Sequence, residues 1–197
     1  MIKFKLIKPT MEYKEQVLKT AQEFFDNKSD LYGVSWLKRY LDDYEWWLDS
    51  LDKRERKDTI DDNHVPWKQF LLIRESDGKL IWFISTRWEL NDALLQHWWH
   101  IWYAIRPSER KHGYGTMQLF AVFPIYENMW IEKLLVTCDK KNIWSAKTIQ
   151  KCWWTLENEI IDSSDWELIQ RYWIDVKKWI EKWKDFFENS WINVEIL

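Results

Sequence analysis

A pair of glycines at the junction of a strand and a helix constrains the fold of this chain most strongly. Gly113 and Gly115 are two of only four glycines among 197 residues. A strand pattern (98–106) precedes them and a helical pattern (115–128) follows. Glycine lets backbone N–H groups approach a ligand closely, and a helix N-terminus adds unpaired donors and the positive end of a dipole. The pair therefore predicts an anion site suited to phosphate.

Basic side chains surround the glycine pair. They are Arg106, Arg110, Lys111 and His112. The segment lacks the third glycine of a dinucleotide fingerprint, and the chain has no P-loop pattern. A tight turn with solvated charges would show the same residues, so this alternative stays open for the segment taken alone.

Strand and helix patterns alternate along the rest of the chain, which predicts an α/β fold. Strands are expected at 2–8, 69–74, 80–87, 98–106, 133–138, 155–161 and 168–174, with one more at 192–197. Helices are expected after Thr10 and at 35–51, 115–128 and 142–151. The charged stretch 53–64 is expected to be a loop.

The order of these elements around the glycine pair resembles that of the GNAT acyltransferases. The string Arg110-x-x-Gly113-x-Gly115 matches the family signature [Q/R]-x-x-G-x-[G/A]. The stretch 132–139, followed by Asn142, resembles the next strand and helix of bacterial members, and 156–159 and 170–174 resemble their last two strands. The resemblance covers roughly residues 1–176 and implies a mixed, twisted sheet of about seven strands flanked by helices.

The resemblance also implies a function. Members bind acetyl-CoA as co-substrate and transfer the acetyl group to an amine, so we expect an N-acetyltransferase acting on a small molecule or a peptide. In the family the strand before the motif carries the pantetheine arm and the motif amides hold the pyrophosphate. The implied coenzyme contacts are Tyr103, Ala104, Ile105, Arg110, Lys111, His112, Gly113, Tyr114, Gly115, Thr116, Asn142 and Ser145. Asn142 would serve equally as a helix cap.

A base must take the proton of the amine, and the family often uses Glu or His on the central strands. His100 is favoured here because an ordinary histidine titrates near neutral pH. Glu89, at the end of the preceding strand, is the second candidate. A structural histidine and a solvated strand-end carboxylate are the alternatives. The tyrosine that serves many members as general acid is missing from 148–152, which leaves Tyr172 or solvent for that role.

Tryptophan is unusually abundant, with 18 residues. Related sequences commonly read glycine at the positions of Trp82, Trp99, Trp102, Trp130, Trp153 and Trp154. This pattern raises the hypothesis that the chain is altered or engineered relative to a natural parent; a naturally tryptophan-rich chain is the alternative. It also raises a rival function, a non-catalytic GNAT scaffold whose coenzyme cleft is obstructed by Trp99 or Trp102.

The charge balance argues against several classes of partner. A net charge of −3 favours neither nucleic acid nor an anionic membrane, and no apolar stretch is long enough to span a bilayer. Cys138 and Cys152 have no metal or redox spacing and are expected as free thiols in the cytoplasm. The pair His97 and His100 has no placed carboxylate, so no metal site is expected.

The C-terminal stretch exceeds the family pattern. We expect a GNAT-like domain at 1–175 and a helical extension at 176–197 with an apolar face. That face consists of Val176, Trp179, Ile180, Trp183 and Phe187. It must be buried on the domain or on a partner chain, and a homodimer contact is the favoured expectation.

Overall fold

The computed structural model describes residues 2–61, 64–97, 99–152, 154–162, 166–189 and 192–196. Its described part contains eight strands and six α-helices. The strands are β1 (Ile2–Ile7), β2 (Trp67–Arg74), β3 (Lys79–Arg87), β4 (Ile101–Ile105), β5 (Lys133–Asp139), β6 (Thr155–Ile161), β7 (Leu168–Asp175) and β8 (Ile192–Ile196). The helices are α1 (Lys14–Asp26), α2 (Tyr44–Arg54), α3 (Asp92–His97), α4 (Tyr114–Asn128), α5 (Ile143–Lys151) and α6 (Val176–Asn189).

The strands form two sheets. One has the order β4-β3-β2-β1-β8, and the other has the order β5-β7-β6. The pair β1 and β8 is parallel, whereas the remaining ladders are antiparallel. The predicted mixed α/β fold is confirmed, and the expected strand at 192–197 is β8. Its strands are divided between two sheets, and the site lies where these sheets meet.

Alternation along the strands divides the apolar residues between two cores. On β4, Ala104 joins a cluster that also contains Phe24 of α1 and Trp47 of α2. Its neighbour on the strand, Tyr103, packs against the other cluster, which contains Phe123 of α4. Helices therefore cover both faces of the region around β4.

The expected helix at 35–51 begins later, at Tyr44. The Oδ1 atom of Asp43 accepts a hydrogen bond from the Trp46 N–H at 3.0 Å and caps α2 there. The chain upstream of this cap packs tightly on the sheet. A Cβ on Gly33 would lie only 2.6 Å from the backbone nitrogen of Ala104. Gly33 has a φ of +71°, which glycine adopts freely. The segment before Tyr44 is therefore largely a loop pressed onto β3 and β4.

Two further boundaries differ from expectation. The strand expected at 98–106 is shorter, and helix α3, which the sequence pattern did not predict, precedes it. Trp98 lies outside the described residues. The stretch expected as a loop at 53–64 contains the end of α2 and a short 3₁₀ turn (Lys57–Thr59), with residues 62 and 63 outside the description.

The apolar face of α6 packs within its own chain. Val176 and Trp179 are buried, and the Trp179 ring stacks on Phe123 of α4 with a centroid distance of 3.9 Å. The Trp179 indole N–H donates to the Cys152 carbonyl at 3.0 Å. Of the two placements expected for this face, on the domain or on a partner chain, Val176 and Trp179 adopt the first, and the favoured dimer contact stays a prediction. The side chain of Phe187 lies outside the described residues.

The chain after α6 returns to the first sheet, where β8 pairs with β1. The C-terminal stretch thus contributes a helix to one core and an edge strand to the sheet. In the described part of the chain, no helix has the length and apolar character to cross a membrane.

Candidate functional site

Strands β4 and β5 meet at one point and then separate. The backbone N–H of His100 donates to the Leu135 carbonyl at 2.8 Å, and the Leu135 N–H donates to Nδ1 of His100 at 2.8 Å. Among the residues that the structure describes, β4 forms a ladder with β3, β5 forms a ladder with β7, and no ladder joins β4 to β5. Each strand runs on from the junction towards the N-terminus of a helix, β4 to α4 and β5 to α5. A crevice outside the carboxyl ends of strands is the usual ligand site in α/β sheets.

The space between the separating strands β4 and β5 is called the gap below. One edge of β4 faces it. The Arg106 N–H donates to the Ile81 carbonyl, which indicates that the even-numbered residues within β4 direct their backbone groups to β3. His100, just before the strand, divides its groups: its carbonyl accepts from the Arg87 N–H of β3, whereas its N–H donates to Leu135 of β5. By alternation, the backbone groups of Tyr103 and Ile105 point to the gap. Of the three strand residues predicted to contact the coenzyme, these two have suitable backbone positions. Ala104 does not, because its backbone groups face β3.

The glycine loop, which comprises residues 110–115, forms the end of the gap at α4. Gly113 is the N-cap of α4 with a φ of +82°, and no side chain caps the helix there. A Cβ at Gly113 would meet no atom within 4 Å, so the space in front of the helix is open. The N–H groups of a helix's first turn have no intrahelical acceptor. This geometry leaves room for an anion at Gly113, and anion binding there remains a prediction.

Two of the basic residues expected to bind the anion make other contacts. Arg106 is buried, and its Nε lies 2.6 Å from a carboxylate oxygen of Glu23 on α1. Arg110 donates to the Ser29 hydroxyl at 3.0 Å, and burial lowers the pKa of its guanidinium. These arginines attach the loop to the first helix and the segment after it. Lys111 and His112 are exposed beside the glycines, so the Lys111 ammonium and a ring nitrogen of His112 can reach an anion bound there.

The first residues of α4 also have packing roles. A Cβ on Gly115 would lie 3.1 Å from Oγ1 of Thr148, so this glycine permits the close approach of α4 and α5. The Tyr114 hydroxyl accepts from Arg74 at 3.0 Å, which directs the ring towards β2. What Tyr114, Gly115 and Thr116 offer a ligand is therefore their backbone N–H groups.

The start of α5 lies across the gap from β4. Oδ1 of Asn142 accepts from the Ser145 N–H at 3.0 Å, so Asn142 caps this helix as its alternative interpretation proposed. The hydroxyl of Ser145 lies 3.1 Å from the Tyr103 hydroxyl. The tyrosine side chain thus connects β4 of the first sheet to helix α5, which follows β5 of the second sheet. Sequence spacing carried no signal for this contact, since the two residues are 42 positions apart.

His100 differs from the expectation for a base that titrates near neutral pH. It is 6% exposed, and its Nδ1 is occupied by the Leu135 N–H. Burial lowers the pKa of His100 to about 4: it outweighs a hydrogen bond with the Leu135 backbone that acts in the opposite direction, and the Arg87 guanidinium adds a smaller lowering contribution. The pKa argument for His100 as the base is therefore wrong. Sequence reasoning missed its contact with Leu135, because the two meet only when the sheets assemble.

Glu89 follows β3, at the end of the strand that lies beside the start of β4. It is half-buried, and Nζ of Lys57 lies 3.3 Å from its Oε1. A carboxylate at this position is close in the fold to the junction of β4 and β5. Its role as a base remains a prediction.

The tryptophans at glycine-typical positions have different surroundings. Trp82 and Trp154 are buried in the core, whereas Trp130 is 91% exposed with a φ of +59°. Trp102 lies on the face of β4 opposite to Tyr103, with its ring centroid 6.1 Å from that of Tyr32. Trp102 therefore projects away from the Tyr103–Ser145 bridge. The ring centroids of Trp99 and Trp102 lie 5.8 Å apart. Trp153 lies outside the described residues.

Comparison with known proteins agrees with this geometry. The profile of the acetyltransferase (GNAT) family matches residues 21–152. The chain belongs to the GNAT family. A search of curated protein sequences finds no match.

Solved structures share the GNAT fold at low sequence identity. Mutant forms of a spermidine/spermine N-acetyltransferase from Vibrio cholerae align with a TM-score of 0.63 and 12% identity, covering 91% of this chain and 97% of theirs. A dodecameric spermidine N-acetyltransferase from the same organism aligns with a TM-score of 0.62 and 11% identity, with the same coverage. At this identity the likeness establishes the fold alone.

Proposed function

We propose that this chain is an acetyl-CoA-dependent N-acetyltransferase that transfers an acetyl group to an amine of a small molecule or a peptide. One observation supports the proposal: β4 lies at the edge of its sheet and is followed, after a short 3₁₀ turn (Pro107–Glu109), by a helix N-terminus at Gly113 that no side chain caps. An extended arm that ends in phosphates suits this pair of features. The free edge can hydrogen-bond the amides of the arm, and the helix can bind the phosphates.

Backbone groups hold most of the coenzyme in this proposal. The backbone groups of Tyr103 and the N–H of Ile105 bind the arm, and the first-turn N–H groups of α4 bind the pyrophosphate. The Ile105 carbonyl already accepts a hydrogen bond from Nε of Arg110 at 3.3 Å. Lys111 contributes positive charge, and His112 contributes a hydrogen-bonding ring nitrogen beside the glycines. When bound, acetyl-CoA supplies an already activated thioester, so the protein has chiefly to hold the amine close to it and remove a proton.

Glu89 is the better candidate for proton removal. A carboxylate can accept the proton directly or through one water molecule. Replacing Glu89 with Gln keeps the shape of the side chain and removes the charge. We expect Glu89→Gln to lower kcat about tenfold or more with little change in acetyl-CoA affinity. Glu157→Gln, which removes a carboxylate that pairs with Arg171 on the second sheet, is the control. An unchanged kcat in Glu89→Gln would exclude this role.

The acceptor is an amine whose class can be tested directly. The two Vibrio cholerae proteins are spermidine acetyltransferases by name, so spermidine and spermine are the first acceptors to assay, followed by peptide amines. Because one of them is dodecameric, assembly into a homodimer or a larger multimer is part of the proposal. The two free cysteines are buried, which fits a cytoplasmic location.

Calorimetric titration with acetyl-CoA tests the coenzyme site. Gly113→Ala adds a methyl group in the open space before α4, and we expect the affinity to fall about tenfold, or about 1.4 kcal/mol. Gly78→Ala is a matched control, because Gly78 also has a positive φ of +63° and open space around it. Both variants lose similar stability, but only Gly113→Ala should lose affinity. A parent protein that does not bind acetyl-CoA, or equal affinities in both variants, would contradict the proposal.

A non-catalytic GNAT scaffold is the second candidate. The Tyr103–Ser145 hydrogen bond favours it, because this bridge joins the two sides of the gap. In that case Tyr103→Ala should bind acetyl-CoA about tenfold more tightly than the parent. For the enzyme, the same variant should bind no more tightly than the parent, and the parent should turn over an amine acceptor.

A further inference from the structure

His100 makes hydrogen bonds to three neighbouring elements at the junction of the sheets. Its imidazole Nδ1 and its backbone N–H both bond to Leu135 of β5 at 2.8 Å. Its carbonyl accepts from the Arg87 N–H of β3 and from the Tyr126 hydroxyl of α4, each at 2.7 Å. One residue therefore connects both sheets and the helix that begins at the glycine loop.

The imidazole stands where a sheet would normally supply a carbonyl. A backbone N–H inside a sheet donates to the carbonyl of the adjacent strand. The Leu135 N–H donates to a ring nitrogen instead, and the described parts of β4 and β5 belong to different sheets. Leu135 is fully buried, so its N–H would be left without an acceptor if the ring were removed. An unsatisfied buried donor is costly, and the strands would have to shift to relieve it.

The surroundings keep the ring uncharged. The ring packs edge-on against Tyr126 and Trp173, each with a centroid distance of 6.3 Å. The charged group that faces it is the Arg87 guanidinium, which opposes a second positive charge, and the Tyr126 phenol is kept neutral by burial. Within the described part of the chain, no carboxylate pairs with His100. A neutral ring leaves the Nδ1 lone pair available to Leu135.

We propose that His100 is a positioning residue that sets the separation of β4 and β5 through its Nδ1 atom. The residues that follow it on β4, Tyr103 and Ile105, carry the backbone groups assigned to the coenzyme arm. A shift of β5 at the junction changes the width of the gap in which that arm lies. This inference rests on the proposed function for its effect on catalysis. The bond itself is independent of it.

Three variants separate positioning from proton transfer. The oxygen of Asn can take the place of Nδ1, whereas the oxygen of Gln reaches the position of Nε2, and Ala offers no acceptor. We expect His100→Asn to keep kcat and KM within about threefold of the parent values. His100→Gln and His100→Ala should raise KM for acetyl-CoA about tenfold or more, with a smaller effect on kcat. A base would show the opposite pattern, with kcat reduced in all three and the pH profile altered.

Amide hydrogen exchange at Leu135 gives a readout that needs no activity. The Leu135 N–H should be protected in the parent and in His100→Asn, and its protection factor should fall about tenfold or more in His100→Ala. In the parent, protection should fall as the pH is lowered towards 4 and the ring gains a proton. Unchanged protection in His100→Ala, or in the parent at low pH, would overturn the proposal. If His100→Ala does not fold, the comparison of Asn with Gln and the parent pH series decide.

The two proposals can fail separately. If the parent does not bind acetyl-CoA, the proposed function is wrong, and Leu135 exchange still decides whether the ring holds β5. If the parent binds acetyl-CoA but His100→Asn is as impaired as His100→Ala, the positioning role is wrong and the enzyme assignment stands.

Discussion

Replacing Trp130 with glycine should stabilise this protein. Trp130 follows α4, where the Ile131 N–H donates to the Tyr126 carbonyl and the Trp130 N–H donates to the Glu127 carbonyl. These bonds form a Schellman motif, whose C′ residue adopts the left-handed conformation and is usually glycine. Trp130 occupies that position with a φ of +59°. Its side chain is 91% exposed and contributes little burial to offset the strain.

The expected gain follows from two opposing effects. A left-handed conformation costs an L-residue roughly 1–2 kcal/mol, which glycine avoids. Glycine in turn loses more chain entropy on folding, at a cost of roughly 0.5–1 kcal/mol. We therefore expect Trp130→Gly to raise the free energy of unfolding by about 0.5–1 kcal/mol. For a chain of this size that corresponds to an increase in Tm of roughly 1–4 °C.

Thermal and urea unfolding, followed by circular dichroism, measure this gain. Trp130→Ala is the matched control, since it removes the indole but keeps the backbone strain, and it should change stability by less than about 0.5 kcal/mol. Trp166, with a φ of +61° and 80% exposure, is an independent site where glycine should also stabilise. Trp144 is exposed within α5, so Trp144→Gly should destabilise by roughly 0.5–1 kcal/mol. A lower Tm for Trp130→Gly than for Trp130→Ala would refute the reasoning.

Three further predictions follow from contacts in the two cores. Gly115→Val should lower the free energy of unfolding by roughly 1–3 kcal/mol, because the valine side chain would collide with Thr148. Denaturant unfolding measures this loss. A variant as stable as the parent would show that α4 and α5 can move apart without cost. Trp179→Ala should cost roughly 3–5 kcal/mol in the same assay, and a loss below about 1 kcal/mol would mean that α6 is not part of the core. Burial alone would raise the pKa of Glu23, but hydrogen bonds from a backbone N–H and from Arg106 lower it below 4.5. Its stabilisation is thus present above pH 4.5 and lost as the pH falls through the folded pKa. Glu23→Gln should therefore be less stable than the parent at pH 7 but not at pH 3, and a difference independent of pH would contradict this.

Lowering the pH should also destabilise the protein through protonation of His100. Because its folded pKa lies below its ordinary value of 6.5, the neutral ring contributes stability that is fully present above pH 6.5 and lost as the pH falls towards 4. The shift corresponds to roughly 3 kcal/mol at most. His100→Asn should remove this part of the pH dependence, as measured by urea unfolding between pH 7 and 4. If the free energy of unfolding of His100→Asn fell with pH as steeply as that of the parent, this prediction would be contradicted.

Local patterns were sufficient for most of the elements. Strand β6 has the predicted bounds, and β1, β5 and β7 differ from prediction by one residue, because alternation and turn residues act over a few neighbours. The glycine pair likewise predicted an open helix N-terminus, since the conformation of Gly113 is a property of its own backbone. Trp130, where related sequences commonly have glycine, likewise has a positive φ of +59°.

Contacts between distant residues decided the rest. The helix expected at 35–51 starts at Tyr44, because Gly33 packs on β4 and Asp43 caps the chain after it. Arg106 binds Glu23 rather than an anion, a pairing across 83 positions. His100 carries a residue type that suits a base, yet its burial and its bond to Leu135 exist only once the two sheets have assembled. Sequence determined which groups the chain carries and which local shapes they favour, whereas the pKa and hydrogen-bond partner of each group depend on neighbours that only the tertiary structure brings together.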